Sequence, residues 1–143
     1  MAKDLSSRLL AIVDALPLRR GMRVLEIGCG PGAMAREIAG RIGDGHVLAI
    51  DRSARAIAQA RAASQSEIES GRLSLRQVAA EDFELEPGEM PYDIVVAVRV
   101  GALDGRYPEV GRRAKRRIAA ALTPEGQLFI DGGDPLRKLS VND

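Results

Sequence analysis

Three glycines occupy alternate positions in the segment VLEIGCGPGAMA, residues 24–35, directly after a short apolar run. Each glycine raises the entropic cost of ordering the backbone, so a turn with three of them has to need bare main chain. Gly28 and Gly30 would let a ligand touch the backbone, and Gly32 would let the following helix pack closely against the strand. The N–H groups at the start of that helix would face an anionic group. The segment therefore predicts a ligand-binding turn.

Two acidic residues near this turn narrow the choice of ligand. Asp51 follows roughly twenty residues later and can accept hydrogen bonds from both ribose hydroxyls, which nicotinamide and adenosyl ligands share. The looser dinucleotide pattern is also satisfied, by Gly28, Gly30 and Ala33. Glu26 and Gly28 have the same parity in the strand, which places both toward the mouth of the site. Because a carboxylate repels a pyrophosphate and attracts an ammonium or sulfonium group, Glu26 favours a cationic sulfur nucleoside.

Strand and helix patterns alternate along the whole chain. This alternation predicts one α/β domain over residues 1–143, with a Rossmann-like, doubly wound and mostly parallel sheet and helices on both faces. In such sheets ligands bind outside the carboxyl ends of the strands, where the glycine turn lies. Ser53 is the expected cap of the third helix. The predicted helices span residues 4–16, 33–42, 54–69 and 108–122, and the predicted strands span residues 23–27, 45–51, 73–78, 93–98 and 127–130.

The motif E-I-G-C-G-P-G resembles the first motif of the class I S-adenosylmethionine-dependent methyltransferases. The resemblance continues through the acidic loop 79–91 and the fourth and fifth strands, and covers the chain from Leu5 to Ile130. It implies that the chain binds S-adenosyl-L-methionine and transfers its methyl group to a small-molecule acceptor, leaving S-adenosyl-L-homocysteine. The implied donor-binding residues are Glu26, Gly28, Cys29, Gly30, Gly32, Asp51, Arg52, Ala80, Glu81, Asp82 and Val98.

The resemblance also implies which part of the donor several of these residues contact. Glu26 and the backbone of the glycine turn would hold the methionine end, and Asp51 would hold the ribose. In the segment VAAEDFEL it puts Glu81 on the adenine amino group and the backbone of Ala80 beside the ring. Asp82 is the competing choice for the amino group, because the spacing can slip by one residue.

The segment VRVGALDGRYPE, residues 98–109, follows the fourth strand, and in many members of the family this segment contributes to the acceptor site. Its polar groups best placed to meet an acceptor are Arg99, Asp104, Arg106 and Tyr107. An arginine can hold a carboxylate or phosphate through two parallel hydrogen bonds. Methyl transfer chiefly requires a nucleophile held in line, so no catalytic residue is assigned, and the candidates are Arg99, Asp104 and Tyr107.

Composition argues against several other classes of protein. The formal net charge is +1 and only 3% of the residues are aromatic, so nucleic-acid binding is not expected. A single cysteine, Cys29, and a single histidine, His46, do not support a metal centre, and an isolated cysteine is usually a small buried thiol. No stretch approaches the roughly 20 apolar residues of a membrane span, and we expect a cytoplasmic protein. The arginine-rich run 111–122 predicts the solvated face of a helix.

After Ile130 only the segment DGGDPLRKLSVND remains, without room for the final helix and strand pair of the usual seven-stranded sheet. The fifth strand would then lie near an exposed edge. Either the tail folds back over this edge, or a second subunit covers it in a homodimer.

Two other functions stay open from the sequence. One is a protein that binds the donor or its demethylated product without transferring methyl, as the partner of a larger subunit. The other is a nicotinamide-dependent oxidoreductase, which is disfavoured by Glu26 and by the lack of a Tyr–Lys or His–Asp constellation for hydride chemistry.

Overall fold

The computed structural model describes residues 5–141, in which helices and strands alternate as predicted. Asp4, the predicted first residue of the first helix, lies outside this part. The helices are α1 (Ser7–Ala15), α2 (Ala33–Ala39), α3 (Ala54–Ala63), α4 (Gln65–Glu69) and α5 (Pro108–Ala121), with a 3₁₀ helix at Ala80–Asp82. The strands are β1 (Arg23–Ile27), β2 (His46–Asp51), β3 (Leu73–Gln77), β4 (Tyr92–Ala97), β5 (Leu122–Asp131) and β6 (Leu136–Leu139).

The six strands form one sheet in the order β3-β2-β1-β4-β5-β6. Strands β1 to β5 run parallel, and β6 runs antiparallel to β5. The strand order reverses between β1 and β4, which confirms the predicted doubly wound α/β fold. Strand β4, with the sequence YDIVVA, is buried along nearly its whole length, as expected for a strand covered on both faces.

Two apolar layers enclose the sheet. On one face, α1, α2 and α3 pack against strand residues such as Val24 and Val96. On the other face, α5 and the 3₁₀ helix pack against their strand neighbours Leu25 and Val95. Consecutive residues of a strand thus belong to opposite layers, as the pleat requires. The carboxyl ends of β1, β2 and β4 meet at one end of the sheet, where ligands of this fold bind.

Serine side chains begin two of the helices. Ser53 Oγ accepts a hydrogen bond from Ala56 N at 3.1 Å, which confirms the predicted cap of α3. Ser6 Oγ accepts one from Leu9 N at 3.2 Å at the start of α1. Each bond satisfies an N–H group that the first helical turn leaves without a partner. Among the residues from 5 to 141, no helix has the length and apolar character that a bilayer crossing requires.

The predicted helix 54–69 is in fact two helices, because the backbone leaves helical geometry at Ser64, with φ −118° and ψ 22°. Ser64 is fully buried, and its Oγ accepts a hydrogen bond from Arg36 Nη1 at 2.9 Å. A serine that bonds outside its own helix competes with helix continuity. The periodicity of the segment carries no sign of this break, since the break involves a partner from α2.

Two other boundaries differ from the prediction. Helix α2 ends at Ala39 instead of residue 42, and β5 begins at Leu122, directly after α5, instead of at residue 127. Leu122 pairs with Tyr92 of β4, and the register shifts before the regular ladder begins. The segment TPEG lies in this irregular stretch, and its proline and glycine do not predict a strand.

The C-terminal tail folds back on the sheet as β6. Leu139 lies opposite Leu128 of β5, and Arg137 lies opposite Ile130. Within residues 5–141 the sheet therefore has six strands where the sequence predicted five, and of the two alternatives that the sequence left open, the folding back of the tail is the one observed, so β5 is not an exposed edge for a homodimer. Strand β6 has four residues and exposes Arg137 and Lys138, features that discourage the addition of a further strand.

The third glycine of the turn has a different role from the one expected. Gly32 has φ +89°, and a Cβ there would come within 3.2 Å of Ala60 Cβ in α3 and within 3.4 Å of Ser64 Oγ. It would also come within 3.1 Å of Arg36 Nη1. Gly32 therefore allows α3 to approach the turn, instead of allowing α2 to approach the strand.

Replacing Gly32 with alanine should destabilise the fold more than the same change at Gly88, which has φ +82° but no atom within 4 Å of its Cβ position. Both changes force alanine into the left-handed region, which costs about 1–2 kcal/mol. Only Gly32→Ala also overlaps α3, which should add at least about 1 kcal/mol. Urea denaturation measures the two losses in the free energy of unfolding, and equal losses would show that the contact with α3 is unimportant.

Candidate functional site

A cavity of about 530 Å³ opens at the carboxyl ends of the strands, where the strand order reverses. Its volume lies within the range of small-ligand sites. Of the residues predicted for the donor, those that line it are Gly28, Asp51, Arg52, Ala80 and Glu81, and of those predicted for the acceptor, Arg99, Arg106 and Tyr107. The predicted residues that do not line it are Glu26, Cys29, Gly30, Gly32, Asp82, Val98 and Asp104.

A second cavity, of about 550 Å³, lies at the opposite end of the sheet, beside the amino end of β4. Its lining includes Arg19, Asp93, Thr123 and Glu125, and none of the predicted site residues. Asp93 is used within the fold, since its Oδ2 accepts a hydrogen bond from Arg23 N at 2.9 Å. We therefore assign the candidate site to the cavity at the carboxyl ends of the strands.

The glycine turn is held to β2 by its own N–H groups. Gly28 N and Cys29 N both donate to Ile50 O, at 2.9 and 3.0 Å. Gly30 N donates to Asp51 Oδ2 at 2.9 Å. In this conformation the N–H groups of residues 28–30 serve the turn and do not point to an anionic ligand.

Bare backbone keeps the cavity open beside the turn. A Cβ on Gly28 would come within 2.9 Å of Val100 Cγ2, and Val100 also lines the cavity. A Cβ on Gly30 would meet no atom of the described residues within 4 Å. A side chain at residue 28 would therefore close space that a ligand can use, whereas the space beside residue 30 is already open.

Asp51 ends β2 and holds the turn through both of its carboxylate oxygens. Oδ2 accepts a hydrogen bond from Gly30 N, and Oδ1 accepts one from Ser53 N, each at 2.9 Å. Each oxygen keeps a second lone pair, so two acceptors remain for hydroxyl groups in the cavity. The sequence pointed to the ribose but not to the bond with the turn. The D-x-S spacing, typical of an Asx turn, was the available signal for the bond with Ser53.

The carboxyl group of Glu26 is buried in the sheet and does not reach the mouth of the site. Glu26 is 4% exposed between Ala49 and Val96 of the neighbouring strands, and among the described residues its Oε1 has no hydrogen-bond partner. Burial raises the pKa of Glu26 to about 8, the charge of Asp51 raises it further, and Arg36 opposes the shift. The sequence predicted a carboxylate that points toward the mouth of the site, because strand alternation does not reveal how deeply a side chain is covered. In the structure Glu26 is buried, and with a pKa of about 8 its carboxyl group is largely protonated at neutral pH.

Cys29 is a buried thiol, as the sequence indicated. Burial first, and then the negative charges of Glu26 and Asp51, raise the pKa of Cys29 to about 12. The thiolate is therefore scarce at neutral pH, which does not suit a nucleophile. Val98, the remaining apolar candidate, packs in the layer of α1, α2 and α3. From residue 5 to residue 141, the side chains of His, Cys, Asp and Glu form no group of three or more suited to a metal ion.

The acidic loop after β3 is fixed by α5. Asp82 Oδ1 accepts a hydrogen bond from Arg113 Nη2 at 2.7 Å, and Glu84 Oε2 accepts one from Arg117 Nη1 at 3.0 Å. Glu81 lines the cavity instead. The two acids that the sequence left as alternatives for the adenine amino group thus lie in different surroundings. The arginine-rich face of α5, predicted to be a solvated face, also holds this loop.

The segment between β4 and α5 forms the other side of the cavity. Arg99, Arg106 and Tyr107 line it, and Tyr107 is 57% exposed. Asp104 lies outside the lining, where its Oδ2 accepts a hydrogen bond from Arg106 Nε at 2.8 Å and its Oδ1 accepts one from Arg106 N at 3.1 Å. Asp104 therefore orients Arg106 and does not itself face the cavity.

The rest of the lining was not predicted from the sequence. It consists of six apolar residues and a glycine, which are Ile27, Val78, Ala79, Val100, Gly101, Ala102 and Val110. An apolar side chain in a cavity wall has the same sequence pattern as one in the core. Only its position beside open space distinguishes the two, so no signal in the sequence could have found these residues.

The doubly wound sheet, the glycine turn after β1 and the carboxylate at the end of β2 together define a Rossmann-like fold, the class in which such a turn and carboxylate typically serve nucleotide ligands. The chain belongs to the methyltransferase domain family, which matches residues 24–126. This range contains the turn, Asp51, the acidic loop and the segment before α5.

Two curated relatives are similar over 93% of this chain. Nocamycin O-methyltransferase of Saccharothrix syringae is 33% identical over 134 residues, and the chain covers 44% of its length. An uncharacterised RNA methyltransferase of Streptomyces coelicolor is 32% identical over 142 residues, and the chain covers 30% of it.

The fold is also similar to a solved S-adenosylmethionine-dependent methyltransferase from Geobacter sulfurreducens, in complex with S-adenosyl-L-homocysteine. The TM-score is 0.68 at 22% identity, over 91% of this chain and 49% of that one. The chain thus spans less than half the length of each of these three proteins.

The pH dependence of stability tests the burial of Glu26. A carboxyl group whose pKa is higher in the folded protein stabilises the fold below its unfolded pKa, and this contribution is lost as the pH rises through its folded pKa. With 4.5 as the ordinary value and about 8 in the fold, the wild type should lose stability relative to Glu26→Gln between these two pH values. The loss should exceed about 1.4 kcal/mol, the equivalent of one pKa unit.

Urea denaturation at about pH 5 and about pH 8.5 measures this loss. The matched control is Glu109→Gln, whose side chain is 93% exposed on α5. A buried and protonated Glu26 would be contradicted if the difference in the free energy of unfolding between wild type and Glu26→Gln were the same at both pH values. It would also be contradicted if the difference between wild type and Glu109→Gln changed with pH by the same amount.

Proposed function

We propose that this chain forms the S-adenosylmethionine-binding part of a methyltransferase that acts on a small-molecule acceptor. The observation that carries the proposal is the Asp51 carboxylate, which lines the cavity and holds the glycine turn beside it. Membership of the methyltransferase domain family supports the proposed activity. The ligand of the structural neighbour from Geobacter sulfurreducens supports the choice of donor.

Features of the cavity fit each part of this donor. The free lone pairs of Asp51 suit the two ribose hydroxyls. Glu81 would accept a hydrogen bond from the adenine amino group, and the backbone of Ala80 would lie beside the ring. Gly28 leaves space next to Val100 that a side chain would fill. Glu26 does not line the cavity, but among the described residues its buried Oε1 has no hydrogen-bond partner, and an ammonium group at the methionine end would favour the ionised form of its carboxyl group.

When bound, S-adenosylmethionine supplies a methyl group on a positively charged sulfur, which is already a good leaving group. The protein's part is to hold the acceptor in line, and such positioning contributes about 7–11 kcal/mol. Among residues 5–141 the cavity lining contains no histidine or lysine, its two acids, Asp51 and Glu81, are assigned to the donor, and Tyr107 is the remaining side chain that could take part in proton transfer. An acceptor atom that already presents a free lone pair needs no base, and this is the kind of acceptor that the lining suits best.

A small molecule is the acceptor that the composition favours. The names of the two curated relatives point to different acceptors, nocamycin and RNA. A net charge of +1 and an aromatic content of 3% provide neither the excess positive charge nor the stacking surface of an RNA-binding protein. The cavity volume of about 530 Å³ is sufficient for one small ligand.

A donor-binding subunit without transfer activity is the second candidate. The described residues of the lining include no histidine or lysine, and this favours the second candidate, because acceptors that need a stronger base than Tyr107 would take it from a partner. A homodimer would have to form elsewhere than on β5, since β6 occupies that edge.

We also propose a cytoplasmic location, which is consistent with the single unpaired cysteine.

Calorimetric titration with S-adenosylmethionine, S-adenosylhomocysteine and NAD tests the class of ligand. We expect the two sulfur nucleosides to bind and NAD not to bind. The acids of the lining, Asp51 and Glu81, would repel a pyrophosphate, and the N–H groups of residues 28–30 are already bonded within the fold and cannot donate to it. Asp51→Asn should weaken binding of S-adenosylhomocysteine at least about tenfold, since the amide loses an acceptor.

Asp14→Asn is the control for that substitution, because Asp14 has a side chain 58% exposed on α1 and lies outside the cavity. Tight binding of NAD without binding of either sulfur nucleoside would exclude the proposed function. Binding without turnover on a broad panel of acceptors would favour the non-catalytic subunit.

A pair of substitutions distinguishes the two acids of the loop. Glu81→Gln should weaken S-adenosylhomocysteine several-fold, because an amide accepts a hydrogen bond less strongly than a carboxylate. Asp82→Asn should leave the affinity within about twofold and lower the free energy of unfolding by less than about 1 kcal/mol, since its bond to Arg113 is exposed. Calorimetry and urea denaturation measure the two effects, and the reverse pattern of affinities would assign the adenine contact to Asp82.

A further inference from the structure

Arg99 has an unusual backbone conformation at the edge of the cavity. Its φ is +57°, and in residues 5–141 it is the one residue other than glycine with a positive φ. This conformation costs about 1–2 kcal/mol for an L-residue with a side chain. Strain of this kind is concentrated at functional sites, where the surrounding structure holds the residue in place.

Asp131, at the end of β5, holds Arg99 in this conformation. Its Oδ1 accepts a hydrogen bond from Arg99 N at 3.0 Å, and its Oδ2 pairs with Arg8 Nη2 of α1 at 3.0 Å. The Asp131 side chain is 19% exposed. Because Asp131 bonds to the backbone of Arg99, the guanidinium group is left for another partner.

The charges in the cavity wall are divided between its two sides. On one side, Asp51 at the end of β2 is followed by Arg52, and Glu81 comes from the 3₁₀ helix after β3. The side formed by the segment after β4 carries Arg99 and Arg106 and no acid in the lining. The donor, whose sulfur is cationic, matches the acidic side. The basic side matches a ligand of the opposite charge.

The two arginines differ in how they are used within the protein. Arg106 Nε donates to Asp104, and its guanidinium lies 6.0 Å from the ring centre of Tyr107. For Arg99, the part of the chain that the structure describes provides no ion-pair partner. An arginine that lines a cavity without a counter-charge is suited to a carboxylate or phosphate, which its planar fork binds through two hydrogen bonds.

We propose that Arg99, with Arg106 beside it, binds an anionic group of the methyl acceptor, a carboxylate or a phosphate, and that Asp131 is the residue that positions Arg99. The inference rests on the proposed function, because it assigns this side of the cavity to the acceptor. It narrows the acceptor to molecules with an anionic oxygen group.

The test uses the full chain saturated with S-adenosylhomocysteine, whose binding is measured first by calorimetry. The probes are succinate, its neutral analogue succinamide and inorganic phosphate, followed through the arginine Nε–Hε signals in NMR spectra. Succinate or phosphate should shift the Arg99 signal saturably, and succinamide should not. A response to succinate identifies a carboxylate as the preferred group, and a response to phosphate alone identifies a phosphate.

Arg99→Gln should weaken binding of the responding anion at least about tenfold, the effect of losing a charged hydrogen bond. Arg116→Gln is the matched control, since Arg116 is exposed on α5 and lies outside the cavity, and it should leave the affinity within about twofold. Asp131→Ala separates positioning from charge. If Asp131 acted only through its charge, its removal would increase the affinity of the site for anions. If Asp131 positions Arg99, its removal should decrease that affinity, and this decrease is the result that we expect.

Three results would overturn the inference while the proposed function stands. The first is that the Arg99 signal responds equally to the anions and to succinamide, or to none of them. The second is that Arg99→Gln and Arg116→Gln change the anion affinity equally. The third is that Asp131→Ala binds the anion more tightly than the wild type does. Failure of the wild-type chain to bind S-adenosylhomocysteine is the separate result that would count against the proposed function itself, and against this inference with it.

Discussion

The bonds from the Asp51 carboxylate to the main chain connect the ends of β1 and β2 at the edge of the cavity. One oxygen holds the glycine turn after β1 and the other holds the first residues after β2, so the ends of two neighbouring strands share one anion. The turn contains three glycines with positive φ, which an unfolded chain orders only at a cost in entropy. The carboxylate offsets that cost, and its remaining lone pairs face the space that the turn leaves open.

Hydrogen bonds from Arg36 to the glycine turn and to Ser64 explain the break between α3 and α4. Arg36 Nη1 donates to Pro31 O of the turn and to Ser64 Oγ, each at 2.9 Å. The bond to Ser64 coincides with the break between α3 and α4, and the positive charge of Arg36 lowers the pKa of Glu26 against the larger effect of burial. Glu26 is thus a buried acid whose charge depends on its surroundings. A cation bound near Glu26 would favour its ionised form.

Two loops of the cavity wall, one on each side, are held by residues from distant parts of the chain. Arg113 and Arg117 of α5 bind acids of the loop after β3, and Asp131 of β5 holds the loop after β4. Exposed pairs of this kind contribute little stability individually. Their consequence is positional, because they fix which side chains of two loops face the cavity. The same core of strands therefore supports a site whose details depend on its loops.

The sequence by itself determined the doubly wound sheet, the turn after β1, the cap at Ser53 and the position of Asp51 at the end of β2. These features follow from local spacing, since side-chain periodicity, glycine conformation and capping act over a few residues. Only the tertiary structure decided the protonation of Glu26, the separation of Glu81 from Asp82, the break at Ser64 and the folding back of β6 onto β5. Each of these depends on burial or on a partner far away in the sequence. Burial and distance are properties of the packed chain, and no local pattern of residues specifies them.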